Sequence, residues 1–369
     1  MSKRKVICAM SGGVDSSVAA FLLKKQGFEV VGVFMKFWKE GESENRCCST
    51  ESYRLARAVA QKIGIPIYSF NLKKEFKKRV VDYYLNEYKR GWTPNPCVVC
   101  NLEIKFGLLL DRAKAMNARL ATGHYARIEK EKNGDYSFLR GKDSNKDQSY
   151  FLWKIAKDDL KNIVFPVGGY KKEKVRIIAK EADLLVAERK DSAGICFIAK
   201  KENEKFLKKH LKSYFKKGDI VENSGRLLGH HQGLFCYTIG QRTGLNLGDL
   251  SLGKGSISRK PLYVVKIDIS KNRLIVGEEK ELYHRGLLAE GVNWLDNSSK
   301  FKVQSLKLTC EAQIRYQHKT TSCVVEKYKT GCLKVVFQEA QRAITRGQSV
   351  VFYQGDKLLG GGVIKSVLK

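Results

Sequence analysis

The sequence predicts an α/β protein with a doubly wound parallel sheet in its first domain, a small central domain and a C-terminal β-barrel. Short apolar runs alternate with helix-length amphipathic segments through the first half of the chain. The first apolar run ends in a glycine turn that opens a helix. Beyond Gly218, short strand patterns and glycine turns replace the helical patterns. We place the domains at residues 1–205, 206–279 and 280–369.

The predicted elements of the first domain follow one another along the chain. Lys5–Ala9 has the pattern of a buried strand, and Val18–Gly27 that of a helix with a glycine stop. Further strands are predicted at 28–37, 66–72 and 118–128, and helices at 51–64, 75–91 and 102–117. Because strands and helices alternate, we expect parallel strands with ligands bound beyond their carboxyl ends.

A glycine-rich turn, SGGVDSS at Ser11–Ser17, joins the first strand to the first helix. Glycines let the backbone approach an anion, and the N–H groups at a helix start stabilise phosphate. The turn lacks the lysine of a Walker A loop and the spacing of a dinucleotide-binding turn. It resembles the loop of the ATP pyrophosphatase superfamily, which implies cleavage of ATP between its α- and β-phosphates. We expect Asp15 to hold magnesium, and Met35 and Gly123 to lie near the adenine.

The charge balance predicts a large anionic partner. Lys and Arg number 69 against 38 Asp and Glu, for a formal net charge of +31. Nucleic acid fits best, because cations that neutralise its phosphates release condensed counterions. No stretch reaches the roughly 18 apolar residues of a membrane span. The ten cysteines lack an export signal before them and are expected to be reduced, so we predict a cytoplasmic protein.

Three cysteines are candidates for chemistry: Cys97 and Cys100 in TPNPCVVCN, and Cys196 in DSAGICFI. Zinc is disfavoured because no second C-x-x-C is present. A thioredoxin-like pair is disfavoured because a loop with two prolines, rather than a strand, precedes the motif. Two alternatives stay open: a thiolate of the motif pairs with Cys196 across a cleft, or all three cysteines hold an iron–sulfur cluster. We interpret the other cysteines as structural: Cys8, Cys47, Cys48, Cys236, Cys310, Cys323 and Cys332.

Several strings, taken together, resemble the bacterial tRNA-specific 2-thiouridylase family. They run in order from Ala9 to about Tyr316 and include AMSGGVDSSV, TPNPCVVCNLEIKFG, ATGHYAR, KDQSYFL, KDSAGICFI, YTIGQRTGL and IRYQ. The resemblance implies an ATP-dependent exchange of oxygen for sulfur at C2 of the wobble uridine in tRNAs for Lys, Glu and Gln. It also implies ATP with magnesium, the tRNA anticodon stem-loop and an upstream persulfide carrier as partners. We expect the free protein to be a monomer.

The resemblance also assigns residues. Cys100 would be the nucleophile and Cys196 the carrier of the persulfide, and the reaction would leave a Cys100–Cys196 disulfide. The ATP-binding residues would be Ala9, Met10, Ser11, Gly12, Gly13, Val14, Asp15, Ser16, Met35 and Gly123. The target base would be bordered by Asn95, Pro96 and Cys97. The tRNA contacts would be His124, Lys146, Asp147, Gln148, Arg315, Tyr316 and Gln348.

One departure from the family pattern concerns Cys97. Many members carry aspartate at this position, where the carboxylate has been considered an acid or base beside the nucleophile. A thiol inherits that role only with an adjusted pKa. The substitution also completes a set of three cysteines, which favours the cluster alternative in this chain.

The sequence leaves other interpretations of the protein's function open. The lysine-rich segment 203–217 is predicted as an amphipathic helix that either links domains or faces RNA. A different ATP pyrophosphatase, such as an amide-forming synthetase, would need neither the cysteines nor the positive charge. A non-catalytic RNA-binding protein would need no phosphate loop.

Overall fold

The structure is a computed structural model, and it describes residues 4–40, 49–191, 194–198, 202–245, 247, 261–297, 299 and 307–368. Cys47 and Cys48, interpreted above as a structural pair, lie outside the described residues. No helix within the described ranges is both long enough and apolar enough to cross a bilayer.

The first domain contains the predicted parallel sheet. Its strands are β1 (Lys5–Ala9), β2 (Glu29–Lys36), β3 (Ile67–Asn71), β4 (Arg119–Ala121), β5 (Ala126–Lys130), β6 (Tyr136–Arg140) and β7 (Ile163–Val164). Five of them form a parallel sheet in the order β3-β2-β1-β4-β7. The central strand β1 is apolar along its length because helices cover both faces of the sheet.

The helices of this domain and the one after it are α1 (Val14–Lys25), α2 (Thr50–Lys62), α3 (Lys73–Phe76), α4 (Asp82–Lys89), α5 (Pro96–Cys100), α6 (Leu110–Ala115), α7 (Lys172–Glu181) and α8 (Asn203–His210). The π-helical segment Lys77–Val81 joins α3 to α4, and the segment Asn101–Leu109 joins α5 to α6. The helix predicted over 203–217 ends at His210.

The cysteine motif differs from the prediction. TPNPCVVCN is predicted to be a loop with the next helix starting at residue 102, but the helix begins at Pro96. Proline suits the first helical position because its fixed φ is helical and its missing N–H would have no partner there. Cys97 and Cys100 therefore lie in the first turns of a continuous helix. The preceding chain is still a loop, as predicted.

Two β domains follow. The central sheet has β8 (Gly218–Glu222), β9 (Leu227–His231), β10 (Tyr263–Asp268) and β11 (Arg273–Gly277), in the order β10-β11-β8-β9. The last domain has β12 (Tyr283–Trp294), β13 (Leu308–Gln313), β14 (Thr321–Lys329), β15 (Cys332–Arg342), β16 (Ser349–Gln354) and β17 (Lys357–Leu368). Pairing of β12 with β17 closes these strands into a barrel, which confirms the predicted fold class.

Buried hydrogen bonds attach the barrel to the first domain. The Tyr150 hydroxyl donates to the Ser349 carbonyl, and the Trp153 indole N–H donates to the Ser349 hydroxyl, both at 3.0 Å. Asn293 of β12 donates to the Trp153 carbonyl at 2.7 Å. Because buried polar groups are costly to leave without partners, these contacts fix the barrel against the segment that follows the β5–β6 hairpin.

Candidate active site

The phosphate loop is tightly folded before α1. The Ser16 hydroxyl accepts from the Ser11 N–H and donates to the Gly13 carbonyl, both at 3.1 Å. Gly12 has a φ of +74°, and a Cβ there would lie 2.2 Å from the Ser52 carbonyl oxygen. Only glycine fits this position. The loop thus closes on its own hydrogen bonds and leaves the first turn of α1 facing a cleft.

The cleft beside this loop has a volume of about 310 Å³. The predicted ATP residues that line it are Ala9, Ser11, Gly13, Val14, Asp15, Ser16, Met35 and Gly123. Met10 and Gly12, also predicted, do not line it: Met10 is buried in the core and Gly12 packs on Ser52. The residues of the phosphate loop therefore line the same cleft as Met35 and Gly123, which were predicted from the ends of two other strands.

Position 123 requires glycine because a side chain would have no room there, whereas its backbone angles are open to other residues. A Cβ at this position would lie 2.6 Å from the Ser16 nitrogen and 2.7 Å from the Asp15 carbonyl carbon. The chain leaving β4 thus packs directly on the backbone of the phosphate loop. Any side chain here would displace that loop.

A charged network that the sequence analysis missed surrounds Asp15. The Lys172 ammonium, at the first position of α7, contacts the two Asp15 oxygens at 2.6 and 2.8 Å and Asp191 at 2.9 Å. The Tyr125 hydroxyl donates to Asp15 at 2.7 Å. Burial raises the pKa of Asp191, but hydrogen bonds and charges from Lys146 and Lys172 outweigh it and lower that pKa to about 2. The Asp191 carboxylate therefore stays ionised beside the phosphate loop.

Arg189 ties the phosphate loop to α2. Its guanidinium donates to the Gly12 carbonyl at 2.6 Å and to the Ser52 hydroxyl at 2.8 Å. Arg189 and Lys190 also line the cleft. No motif in the sequence distinguished these residues from the many other basic residues of the chain. Their positions come from the fold, which returns the segment after α7 to the start of α1.

The helix that begins at Pro96 reaches the same cleft. Cys97 and Cys100 are three residues apart on it, so they lie on one face. Cys97 is half-buried, and Cys100 is buried. One turn further on, the Lys105 ammonium lies 3.0 Å from the Asn101 side-chain oxygen and 3.3 Å from the His124 ring. Lys105 lines the cleft and so connects the cysteine helix to the phosphate loop.

Cys196 lies in a short turn that packs against this helix. Gly194 has a φ of +89°, as expected for a sharp turn before the cysteine. Phe197 anchors the turn, because its ring contacts those of Tyr84 at 5.4 Å and Phe206 at 5.8 Å. The half-buried Cys196 packs on the same hydrophobic cluster that contains Cys100. The cysteines of the two distant motifs thus border one cluster.

The arrangement of ligand-type side chains bears on the cluster alternative in the residues that the structure describes. Within those ranges, no group of three or more His, Cys, Asp or Glu side chains is arranged to hold a metal ion. The set Cys97, Cys100 and Cys196 therefore does not fit an iron–sulfur cluster in this arrangement.

Several predicted tRNA residues line the cleft with the phosphate loop: His124, Lys146, Gln148 and Tyr316. Burial and the nearby Lys105 charge lower the pKa of His124 well below its usual value, so its ring is neutral. Its Nδ1 lies 2.7 Å from the Thr122 hydroxyl. Tyr316 comes from the barrel and packs on Phe151, with ring centroids 4.6 Å apart. The barrel thus forms part of the cleft wall.

Asp147 does not face the cleft. It is buried, and its carboxylate accepts from Arg140 at 3.0 Å, from the Gly141 N–H at 2.9 Å and from the Ser149 hydroxyl at 2.8 Å. These bonds fold the turn that presents Lys146 and Gln148. The geometry therefore gives Asp147 a positioning role and offers no support for a direct tRNA contact.

Gln348 docks the barrel on the loop before the cysteine helix. Its side-chain amide donates to the Thr93 carbonyl at 3.0 Å and to the Pro94 carbonyl at 3.3 Å. The Thr93 N–H donates in turn to the Arg346 carbonyl at 2.9 Å. The next residues, Asn95 and Pro96, are buried. Arg315, the remaining predicted tRNA residue, is half-buried and lines none of the cavities described here.

Three family descriptions match the chain in succession. Residues 4–200 match a tRNA methyl transferase HUP domain. Residues 204–278 match a tRNA methyl transferase PRC-barrel domain, and residues 284–364 match an aminomethyltransferase beta-barrel domain. These matches agree with the observed succession of a parallel sheet, a small sheet and a barrel.

Curated relatives match over almost the whole chain. The chain is 44% identical over 368 residues to the tRNA-specific 2-thiouridylase MnmA 1 of Clostridium botulinum strain Loch Maree, covering 98% of this chain and 99% of that protein. It is 46% identical over 370 residues to the tRNA-specific 2-thiouridylase MnmA of Buchnera aphidicola from Acyrthosiphon pisum, covering 99% and 98%. A solved 4-thiouridine synthetase–RNA complex with bound ATP is 22% identical, with a TM-score of 0.30, over 53% of this chain and 45% of that one.

Proposed function

The chain belongs to the tRNA-specific 2-thiouridylase family, and on that premise we propose that it replaces the C2 oxygen of the wobble uridine with sulfur in tRNAs for Lys, Glu and Gln. It is a tRNA-modifying transferase that uses ATP and binds tRNA. One observation carries the finer proposal. The phosphate loop and the cysteine helix border a single cleft, because Lys105 of that helix lines the cleft beside Ser11–Ser16.

The first step activates the uridine. The C2 oxygen attacks the α-phosphorus of ATP, and pyrophosphate leaves, so that a poor leaving group becomes AMP. The N–H groups of α1 bind the departing phosphates, and Lys172, Arg189 and Lys190 stabilise their charge. A magnesium ion would take the Asp15 carboxylate as a protein ligand, because this oxygen-bearing side chain lines the cleft beside the phosphate loop. When bound, it would neutralise charge on the phosphates.

The second step delivers sulfur. A carrier protein supplies Cys196 with a persulfide, whose terminal sulfur attacks C2 and displaces AMP. The Cys100 thiolate then attacks the remaining Cys196 sulfur, which breaks the S–S bond, leaves the thiocarbonyl on the base and forms a Cys100–Cys196 disulfide. In the alternative order, Cys100 first releases sulfide, which then attacks C2. Either order consumes one dithiol reductant per turnover.

Positioning accounts for much of the expected rate. Asn95 and Pro96 form the buried wall before the cysteines, and the target base leaves its stack to rest against them. Cys97 lies beside this wall and near Tyr316, whose pKa is raised by burial and further by the charges of Asp147 and Cys97. We assign Cys97 to the border of the base pocket.

A thiolation assay with tRNA, ATP and a persulfide donor tests the proposal. Cys100→Ser and Cys196→Ser should each abolish formation of 2-thiouridine, whereas Cys332→Ser, a half-buried barrel cysteine, should leave it unchanged. Retained activity in both active-site variants would refute the mechanism. Thiolation without ATP would refute the adenylation step.

A further inference from the structure

A second cavity of about 610 Å³ lies where the three domains meet, apart from the cleft described above. The first domain contributes Arg90, Gly91 and Thr93, from the end of α4 and the loop after it. The central domain contributes the end of β10 and the turn after it. The barrel contributes the start of β12 and the β15–β16 turn at Ala343–Arg346. The volume is within the range of small-ligand pockets.

The charges around this cavity favour an anion. Arg346 and Lys266 line it, and within the described part of the chain neither side chain makes an ion pair or hydrogen bond. The two acids of the lining are already engaged. Asp268 accepts from the Ser270 hydroxyl at 2.7 Å and from the Lys271 N–H at 3.1 Å.

The second acid, Glu281, is engaged in the same way. It accepts from the Glu278 N–H at 2.8 Å and closes the capping box of a 3₁₀ turn. The lining therefore presents the cations Arg346 and Lys266, of which Lys266 lies near the Asp268 carboxylate, and two carboxylates that local hydrogen bonds hold. A phosphate group meets this combination well.

The remaining lining is mixed, with Arg90, Thr93, Ser270, His284 and Thr345 beside several aliphatic side chains. The aliphatic surface comes from the central domain and the barrel, through Ile239, Ile267, Leu282 and Ile344. A lining that combines aliphatic side chains with cations suits a nucleotide, whose base has a flat apolar face and whose phosphate is charged. Free inorganic phosphate would leave the aliphatic side chains uncovered.

The cavity lies close to the base pocket along the chain. Thr93 lines the cavity, and Asn95 begins the buried wall before the cysteines. Two residues of extended chain span at most about 7 Å. Gln348 fixes the Thr93 and Pro94 carbonyls between the two sites. A single-stranded RNA loop that places one nucleotide in the base pocket can therefore reach the cavity with a neighbouring nucleotide.

We propose that the three-domain cavity binds the nucleotide next to the target uridine in the anticodon loop. Its phosphate pairs with Arg346 and Lys266, and its base packs on the aliphatic side chains. This inference rests on the proposed function, because it takes the anticodon loop as the RNA that enters the cleft. RNA bound there holds the loop before the cysteine helix between the barrel and the first domain.

Binding of an anticodon stem-loop RNA to the full-length protein, measured without ATP or persulfide, tests this site. Arg346→Gln should weaken binding about tenfold and reduce the slope of log affinity against log salt by about one. Arg285→Gln is the matched control, because Arg285 is an exposed arginine of β12 outside the lining. Equal losses in the two variants, or no loss in Arg346→Gln, would overturn the proposal.

A second arm uses stem-loops that carry an abasic site beside the wobble uridine. The wild-type protein should bind this RNA about tenfold more weakly than the intact stem-loop. The Arg346→Gln variant should lose much less affinity on the same change of RNA, because the cavity of this variant no longer binds the nucleotide. An abasic site without effect on the wild type would overturn the proposal. Thiolation by the wild type is scored separately, so a failure of the proposed function leaves the binding result readable.

Discussion

Replacing Gly123 with alanine tests whether the phosphate loop must stay in its observed place. Gly123 is not in the left-handed region, so alanine causes no backbone strain. The added methyl carbon would nevertheless lie 2.6 Å from the Ser16 nitrogen and 2.7 Å from the Asp15 carbonyl carbon. These are backbone atoms and cannot rotate away, so the loop itself has to move.

The size of the movement sets the expected effect. Ordinary contact begins at 3.4 Å, so the loop must retreat by about 0.8 Å from Gly123. Misplacement of reacting groups by about 1 Å can lower a rate about 10²-fold, which corresponds to about 2.7 kcal/mol. We therefore expect kcat/KM for ATP to fall about 10²-fold in Gly123→Ala. Binding of tRNA should change little, because the added methyl group meets the backbone of Asp15 and Ser16 and none of the side chains predicted to contact tRNA.

Steady-state thiolation at varied ATP, together with pyrophosphate release, measures this effect. Gly169→Ala is the matched control, since a Cβ there meets no atom within 4 Å and its φ is not in the left-handed region. Overpacking costs about 1–3 kcal/mol of stability, so thermal unfolding is recorded for both variants to confirm that each is folded at the assay temperature. A Gly123→Ala protein with wild-type kcat/KM for ATP would refute the claim that this contact positions the loop.

Three further predictions follow from side chains around the cleft. Gln348→Ala should lower kcat about tenfold with little change in tRNA affinity, because two hydrogen bonds to the loop before the cysteine helix are lost. Gln338→Ala, at an exposed position of the barrel, is its control. A weakened tRNA affinity at unchanged kcat would indicate a direct RNA contact instead. Asp147→Asn should lower the free energy of unfolding in urea by about 1.5–3 kcal/mol, since a buried carboxylate loses charged hydrogen bonds to Arg140 and Ser149; a change in tRNA affinity without destabilisation would contradict this. The folded-state pKa of Asp191 is about 2, below its ordinary value of 3.8, so its ion pairs stabilise the fold above about pH 4 and lose this effect as the pH falls toward 2. Asp191→Asn should therefore cost up to about 1 kcal/mol at pH 7, after allowance for solvent screening, and less at pH 3; an equal cost at pH 7 and pH 3 would contradict this assignment.

The phosphate loop could be predicted because its chemistry is local. A strand, a glycine turn and a helix start are encoded within about twenty residues, and backbone N–H groups supply the binding site. Met35 and Gly123 were found by the rule that ligands bind at the carboxyl ends of parallel strands. In contrast, Lys172 pairs with Asp15 across 157 residues and also with Asp191, and nothing in the segments of Lys172 and Asp191 distinguishes them from other basic and acidic residues.

The cysteine motif shows a different limit of sequence reasoning. Pro94 and Pro96 were read together as loop residues, but a proline at the first helical position favours the helix that follows it. This local error concealed a relation that matters for the chemistry. With the helix starting at Pro96, the Asn95–Pro96 wall, Cys100 and Lys105 belong to one rigid element, so a shift of that element moves all of them together.

The position of this element depends on the barrel. Its leading loop is held by Gln348 and Arg346, and its body is tied to the Phe151 carbonyl through Asn101 at 3.1 Å. The segment that contains Phe151 is in turn fixed to Ser349 by Tyr150 and Trp153. Both attachments end at the start of β16, some 250 residues from the cysteines. The barrel therefore fixes the position of the helix that carries Cys97 and Cys100, and we expect a truncated first domain to lose that position.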